Sequence, residues 1–149
     1  MSRFEVLYNA TLLTDEITSL VLRSFGVYSR NSIMRKRYEH MVSHNNKPYV
    51  ENLLQQYKDQ LIESASNIEL YVKSAKSTYP STIDQFDIRR NFQNNALDEC
   101  FNIKFILHII ARQFNVDIDM FKNSICLLDK EIHLIKSWRR SDSKRYKYL

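Results

Sequence analysis

The 149-residue chain predicts an all-α fold, and three observations carry that expectation. One glycine, Gly26, and two prolines, Pro48 and Pro80, are too few for the tight turns of a β-rich or α/β domain of this length. Apolar residues recur at steps of three and four over long stretches, the spacing of one helix face. The length is one domain's worth, enough to bury a core without disulfides or metals. The reading is an antiparallel four-helix bundle in residues 1–140, with a long first connection that carries a short helix, and a basic C-terminal tail at 141–149.

The first helix is expected over about Arg3 to Ser24, with Val6, Ala10, Leu13, Ile17 and Leu20 on one stripe. Gly26 ends it, since glycine takes positive φ without Cβ strain. From Val27 to Pro48 the periodicity weakens, which predicts a connection carrying one short helix. It is also a positive stretch, with six basic residues against Glu39 between Arg23 and Lys47. The next helix starts after Pro48, carries Val50, Leu54, Tyr57, Leu61, Ile68, Val72 and Ala75, and must end before Pro80. Its small residues Ser64, Ala65, Ser66, Ser74 and Ala75 allow close approach of a neighbour.

Thr82 or Asp84 caps a third long helix reaching about Phe114. Its segment CFNIKFILHIIA, Cys100 to Ala111, is apolar on nearly every side apart from Asn102, Lys104 and His108, so it is expected at the centre of the bundle or at a subunit interface. Phe101, Phe105, His108 and Ile109 are the interface candidates, with His108 read as a hydrogen-bonded core or interface histidine.

The last helix, Val116 to Arg140, shows the clearest periodicity: Ile118, Phe121, Ile125, Leu128, Ile132 and Ile135 form one face, widened by Met120, Leu127 and Leu134. Asp117 or Asp119 suits its start, and Lys136, Arg139 and Arg140 suit the carbonyl end of the helix dipole. Asp129 and Glu131 are placed on its solvated side. Short joins at 77–82 and 115–117 make neighbouring helices antiparallel.

Chemistry is mostly excluded. A lone glycine can write neither a dinucleotide fingerprint nor a Walker loop. Cys100 and Cys126 lie in apolar runs without ligand-spaced partners and read as buried thiols suited to a reducing cytosol. His40 and His44 are four apart and can share a face, but lack a third ligand, and no Glu-x-x-His pair of the di-iron type occurs, so neither metal nor cofactor is expected. The N-terminus has no sustained apolar leader and no window spans a bilayer, so the expected location is cytoplasmic, away from membranes.

The net charge of +5 is concentrated. Residues 136 to 149 hold Lys136, Arg139, Arg140, Lys144, Arg145 and Lys147 against Asp142 alone, and the rest of the chain is balanced. Together with Trp138, Tyr146 and Tyr148 this interleaves cations with aromatics, as suits contact with phosphates and bases. Arg89 and Arg90, and the cluster Arg35, Lys36 and Arg37, are candidates to extend the patch. The alternative is a solvated helix end.

Arg35-Lys36-Arg37-Tyr38-Glu39-His40 spells Arg, four residues, His, and resembles the signature of HEPN-type ribonucleases. Such a resemblance implies His40 as general acid or base and Arg35 as phosphate stabiliser. A longer resemblance runs through LLQQYKDQLIESASNIELYVKSA and DECFNIKFILHIIARQFNVDIDMFKNSICLLDKEIHLIKSWRRS, with its Leu128-Asp129-Lys130-Glu131-Ile132 spacing and its closing Trp138 to Ser141. This is similar to the Avd-like four-helix-bundle family, the accessory variability determinants of diversity-generating retroelements, related to proteins of ribosomal-RNA intervening sequences. The resemblance implies a homo-oligomer, a pentamer, with a positive surface and no catalytic site, whose partners are a reverse transcriptase and its template RNA. The leading expectation is therefore a non-enzymatic, nucleic-acid-binding helical oligomer that contacts RNA or DNA through the basic residues named above. A ribonuclease using Arg35 and His40, and a protein-only interaction module, are the alternatives.

Overall fold

The structure is a computed structural model that describes residues 3–28 and 32–149. Arg30, one of the cations counted in the first connection, lies outside the described residues. The described chain is all-helical, without a strand: α1 (Arg3–Leu22), α2 (Ser32–His44), α3 (Lys47–Ser77), α4 (Ile83–Gln113) and α5 (Lys122–Arg145), with 3-10 turns at Ser24–Gly26 and Ile118–Phe121. Among the described residues no helix is long and apolar enough to cross a membrane.

Local chemistry sets the boundaries. The α1 stripe of Val6, Ala10, Leu13, Ile17 and Leu20 is wholly buried. Below it the chain reverses through Ser24, Phe25 and Gly26, all at positive φ, with Gly26 at +79°. The Asn46 side chain accepts from the Tyr49 amide at the head of α3, and Pro48 sits inside the first turn, where its missing N–H has no helical partner to lose. Thr82 caps α4 by accepting from the Gln85 amide, as the sequence predicts. Asp117 caps the 3-10 turn rather than α5 itself.

α1 packs on α3 and α5, and α4 packs on the same two, so each of these four helices has two neighbours. Small residues permit it: Ala65 lies in contact with α1, its carbonyl accepting from Thr14 Oγ1, while Ser64 accepts from Asn102 of α4 at 2.9 Å. Later residues of α4 meet earlier residues of α5: Arg89 meets Asp142, Asn94 meets Arg139 and Lys104 meets Asp129. The short helix of the first connection, α2, rests against α3, and Arg37 donates from it to the Asn115 carbonyl at 3.0 Å.

Two expectations about α5 change. The helix runs past Arg140 to Arg145, through half of the segment expected as a tail, because Asp142 is buried against α4. The buried face also extends beyond the apolar stripe, of which Phe121, Leu128, Ile132 and Ile135 are buried. Ser124, Leu128, Glu131, Ile135, Trp138 and Asp142 form the most covered row, whereas Ile118 is exposed and Ile125 half-buried. Glu131, placed by the sequence on the solvated side, is 0% exposed. Asp129, assigned to the same side, is exposed and pairs with Lys104 at 2.8 Å.

Candidate nucleic-acid interface

The end of α5 is fixed by a buried polar knot. Arg89 donates from Nε and Nη2 to the two carboxylate oxygens of Asp142 at 2.8 Å each, and Gln93 Nε2 adds a third bond at 2.9 Å. The same guanidinium lies 5.1 Å from the Trp138 ring centroid and 5.9 Å from that of Tyr146. Arg89 was expected on the binding surface, but it is 1% exposed and its donors face inward. Trp138 is buried too, so it finishes the core and offers no ring to a ligand.

What the knot presents outward is a cluster of cations. Arg90, Lys136, Arg139, Arg140 and Ser143 line one surface recess of about 390 Å³. Arg90, one residue beyond the buried Arg89, reaches across to α5 and donates from Nη2 to the Arg139 carbonyl at 2.9 Å and to Ser143 Oγ at 2.8 Å. Arg139 in turn donates to Asn94 Oδ1 at 2.8 Å. Burial, and then the neighbouring Arg139 charge, push the Arg90 guanidinium below its ordinary value, while Asp142 and Asp87 pull the other way. Two guanidiniums held side by side, with one carboxylate already consumed by Arg89, leave a site that an anion would relieve.

Lys144 does not line the recess, but helical spacing puts it one turn beyond Arg140, about 40° around the helix from it. Arg145 points elsewhere, since nine residues at 100° set it about 180° from Lys136. The cluster Arg35, Lys36 and Arg37 is remote. Arg37 bonds the Asn115 carbonyl, ahead of α5, whereas Arg139 lies 17 residues beyond the start of that helix at Lys122, roughly 26 Å along it at 1.5 Å per residue. The sequence could not separate these clusters; the chain path does.

Arg35 and His40 are five residues apart on one helix, about 140° apart around its axis, and do not converge within a single chain. His40 and His44 do share a face, with ring centroids 4.1 Å apart and His44 Nδ1 at 2.9 Å from the His40 carbonyl. Among the described residues no group of three or more His, Cys, Asp or Glu side chains is disposed to hold a metal ion.

On α4, Phe101 is 47% and Phe105 64% exposed, His108 is exposed and Ile109 half-buried. His108 is therefore not a core histidine, whereas the four residues do share one outward region. Phe101 also borders the cations, with Lys136 Nζ 5.7 Å from its ring centroid and both residues lining a second recess with Arg139 and Asp98.

Three placements escaped the sequence reading. Ser143 and Asn94 orient the two arginines; the step of four from Arg139 to Ser143 is a signal that could have found the first. Glu131 hides in the core with a single donor, Asn9 Nδ2 at 3.2 Å, and its Oε2 has no protein partner. Burial pushes its carboxyl from the ordinary 4.5 up to about 8, with the Asn9 hydrogen bond and Lys130 opposing. Of the thiols, Cys100 is buried as expected but Cys126 is exposed, because it lies about 160° around α5 from the buried Leu128. Set against protein-family models, curated proteins and solved structures, the chain matches none.

Proposed function

We propose that this protein is a non-enzymatic, nucleic-acid-binding helical module that takes RNA phosphates at the end of α5. The observation that carries this reading is the recess lined by Arg90, Lys136, Arg139 and Arg140, in which four cations and the Ser143 hydroxyl face one space. Planar guanidiniums in fixed orientation suit phosphate oxygens, and the surrounding lysines add the counterion-releasing charge that drives polyanion affinity. We read α1, α3, α4 and α5 as an antiparallel four-helix bundle, supported by residue pairs that run in opposite order along neighbouring helices.

The same reading extends to self-association. Phe101 and Phe105 stand exposed on α4, and a bare aromatic pair beside a charged rim is characteristic of a contact surface. In line with the Avd-like resemblance, a homopentamer that partners a reverse transcriptase and its template RNA is the specific form of the proposal.

In the test, Arg139→Ala/Arg140→Ala should weaken RNA binding and flatten the dependence of log affinity on log salt by about two units. Affinity indifferent to salt in the unaltered protein would overturn the reading. Light scattering bears on the assembly: five copies support the pentamer, and a monomer removes it.

A further inference from the structure

The basic recess does not end at Ser143. That residue also lines an adjoining recess of about 390 Å³ whose other walls include Ile83, Phe86, Asp87, Tyr146 and Lys147. The two spaces are joined structurally as well, since the Arg90 guanidinium that bonds Ser143 lies 5.2 Å from the Phe86 ring centroid. Phe86 and Tyr146 stand edge to face, 6.2 Å between centroids, and Tyr79 extends the group from the other side of Tyr146 at 6.5 Å. A phosphate site therefore passes directly into an aromatic one.

We infer that the site takes unpaired RNA, with a phosphate on Arg90, Arg139 and Arg140 and an adjacent base lodged against Phe86 and Tyr146. The inference rests on the nucleic-acid reading above and narrows it to a single strand. A duplex keeps its base faces stacked inside and offers outward only phosphates, sugars and base edges; an aromatic recess beside a phosphate site is of use only to a base already free of the stack. Asp87 at the wall supplies an acceptor for an exocyclic amine. Lys147 keeps the far side positive.

Three labelled probes test it by fluorescence anisotropy at one salt concentration: a short unstructured RNA strand, the same strand annealed to its complement, and an abasic strand of equal length. The unaltered protein should bind the single strand about tenfold more tightly than either of the others. Phe86→Leu, which keeps apolar volume but removes the aromatic face, should lower single-strand affinity by a larger factor than it lowers abasic affinity, so that the gap between the two probes closes. Tyr79 is 67% exposed, so Tyr79→Leu, which endangers no core packing, should give a smaller loss of the same kind. Equal affinity for the RNA and abasic strands would overturn the inference while leaving the basic recess intact. Failure to bind any of the three would remove both.

Discussion

α5 buries two carboxylates, Glu131 and Asp142, about three turns apart on one face, and the chain treats them in opposite ways. Asp142 receives three charged or polar donors within 2.9 Å, two of them from one guanidinium. Glu131 receives one, from Asn9 at 3.2 Å, and its second oxygen is left without a protein partner. The difference lies in what the neighbouring helix supplies. α4 brings Arg89 and Gln93 to the far end of α5, whereas α1 brings only an amide to its middle. Burial alone thus does not decide a carboxylate's role: with a counter-ion it clamps a helix end, and without one it becomes a group that prefers its proton.

Breaking the clamp should have the largest effect. Arg89→Ala leaves Asp142 buried without its cation, and stranding one member of a buried pair typically costs about 3–5 kcal/mol. Urea denaturation measures this directly. The double replacement Arg89→Met/Asp142→Leu should recover most of the loss, because apolar groups of similar volume avoid the desolvation of two charges. If the double variant is no better than the single one, packing rather than charge holds the end of α5.

Glu131 should show the next largest effect, with a characteristic direction. Its folded value of about 8 lies above the ordinary 4.5, so the folded state binds the proton more tightly. Stability from this group is fully present below about pH 4.5 and is lost as pH rises through about 8, at up to roughly 1.4 kcal/mol per pH unit. Glu131→Gln should flatten that decline and be more stable than the unaltered protein at pH 8 by roughly 2–4 kcal/mol, with the two converging toward pH 4. A stability curve that climbs between pH 5 and 8 in the unaltered protein would contradict the burial of this carboxylate.

Most of the helical scaffold was legible because it depends on local rules. Val6, Ala10, Leu13, Ile17 and Leu20 alternate at helical spacing and are buried; Thr82 precedes a helix it caps; Gly26 takes the positive φ its position demands. The site was legible in part. Lys136, Arg139 and Arg140 lie close together in sequence on one helix, and they share a recess. Arg89 and Arg90 look equivalent as a dipeptide, but successive helix positions differ by 100°, which sends one side chain into the core and the other to the surface.

The buried face of α5 is wider than its apolar stripe for a physical reason. Hydrophobicity places the face on Ile118, Phe121, Ile125, Leu128, Ile132 and Ile135, four of which are buried, but the covered surface also takes in Ser124, Glu131 and Asp142, roughly 100° around the helix from Ile125 and Ile132. Polar residues can occupy a buried row when partners on other helices, here Asn9, Arg89 and Gln93, meet them, and those partners are more than 40 residues distant in sequence. Cys126 lies about 160° around the helix from Asp142 and is exposed, although the run it sits in is apolar.

The smallest effect, and the sharpest probe of the contrast, is expected at Asn9. Its amide donates to the Leu127 carbonyl at 3.1 Å as well as to Glu131, tying α1 to α5 at a buried point. Asn9→Ala should cost about 1 kcal/mol near pH 5, where Glu131 is protonated and the loss is that of ordinary hydrogen bonds. The cost should grow as pH rises, because the bond that holds the Glu131 value down is gone and the ionised carboxylate then has no donor at all. The pH at which stability stops falling should therefore move above that of the unaltered protein, the opposite of the flattening expected for Glu131→Gln. Parallel denaturation curves from pH 5 to 9 distinguish the cases. If Asn9→Ala lowers stability by the same amount at every pH, the carboxylate does not feel this amide, and the contrast between the two ends of α5 loses its electrostatic basis.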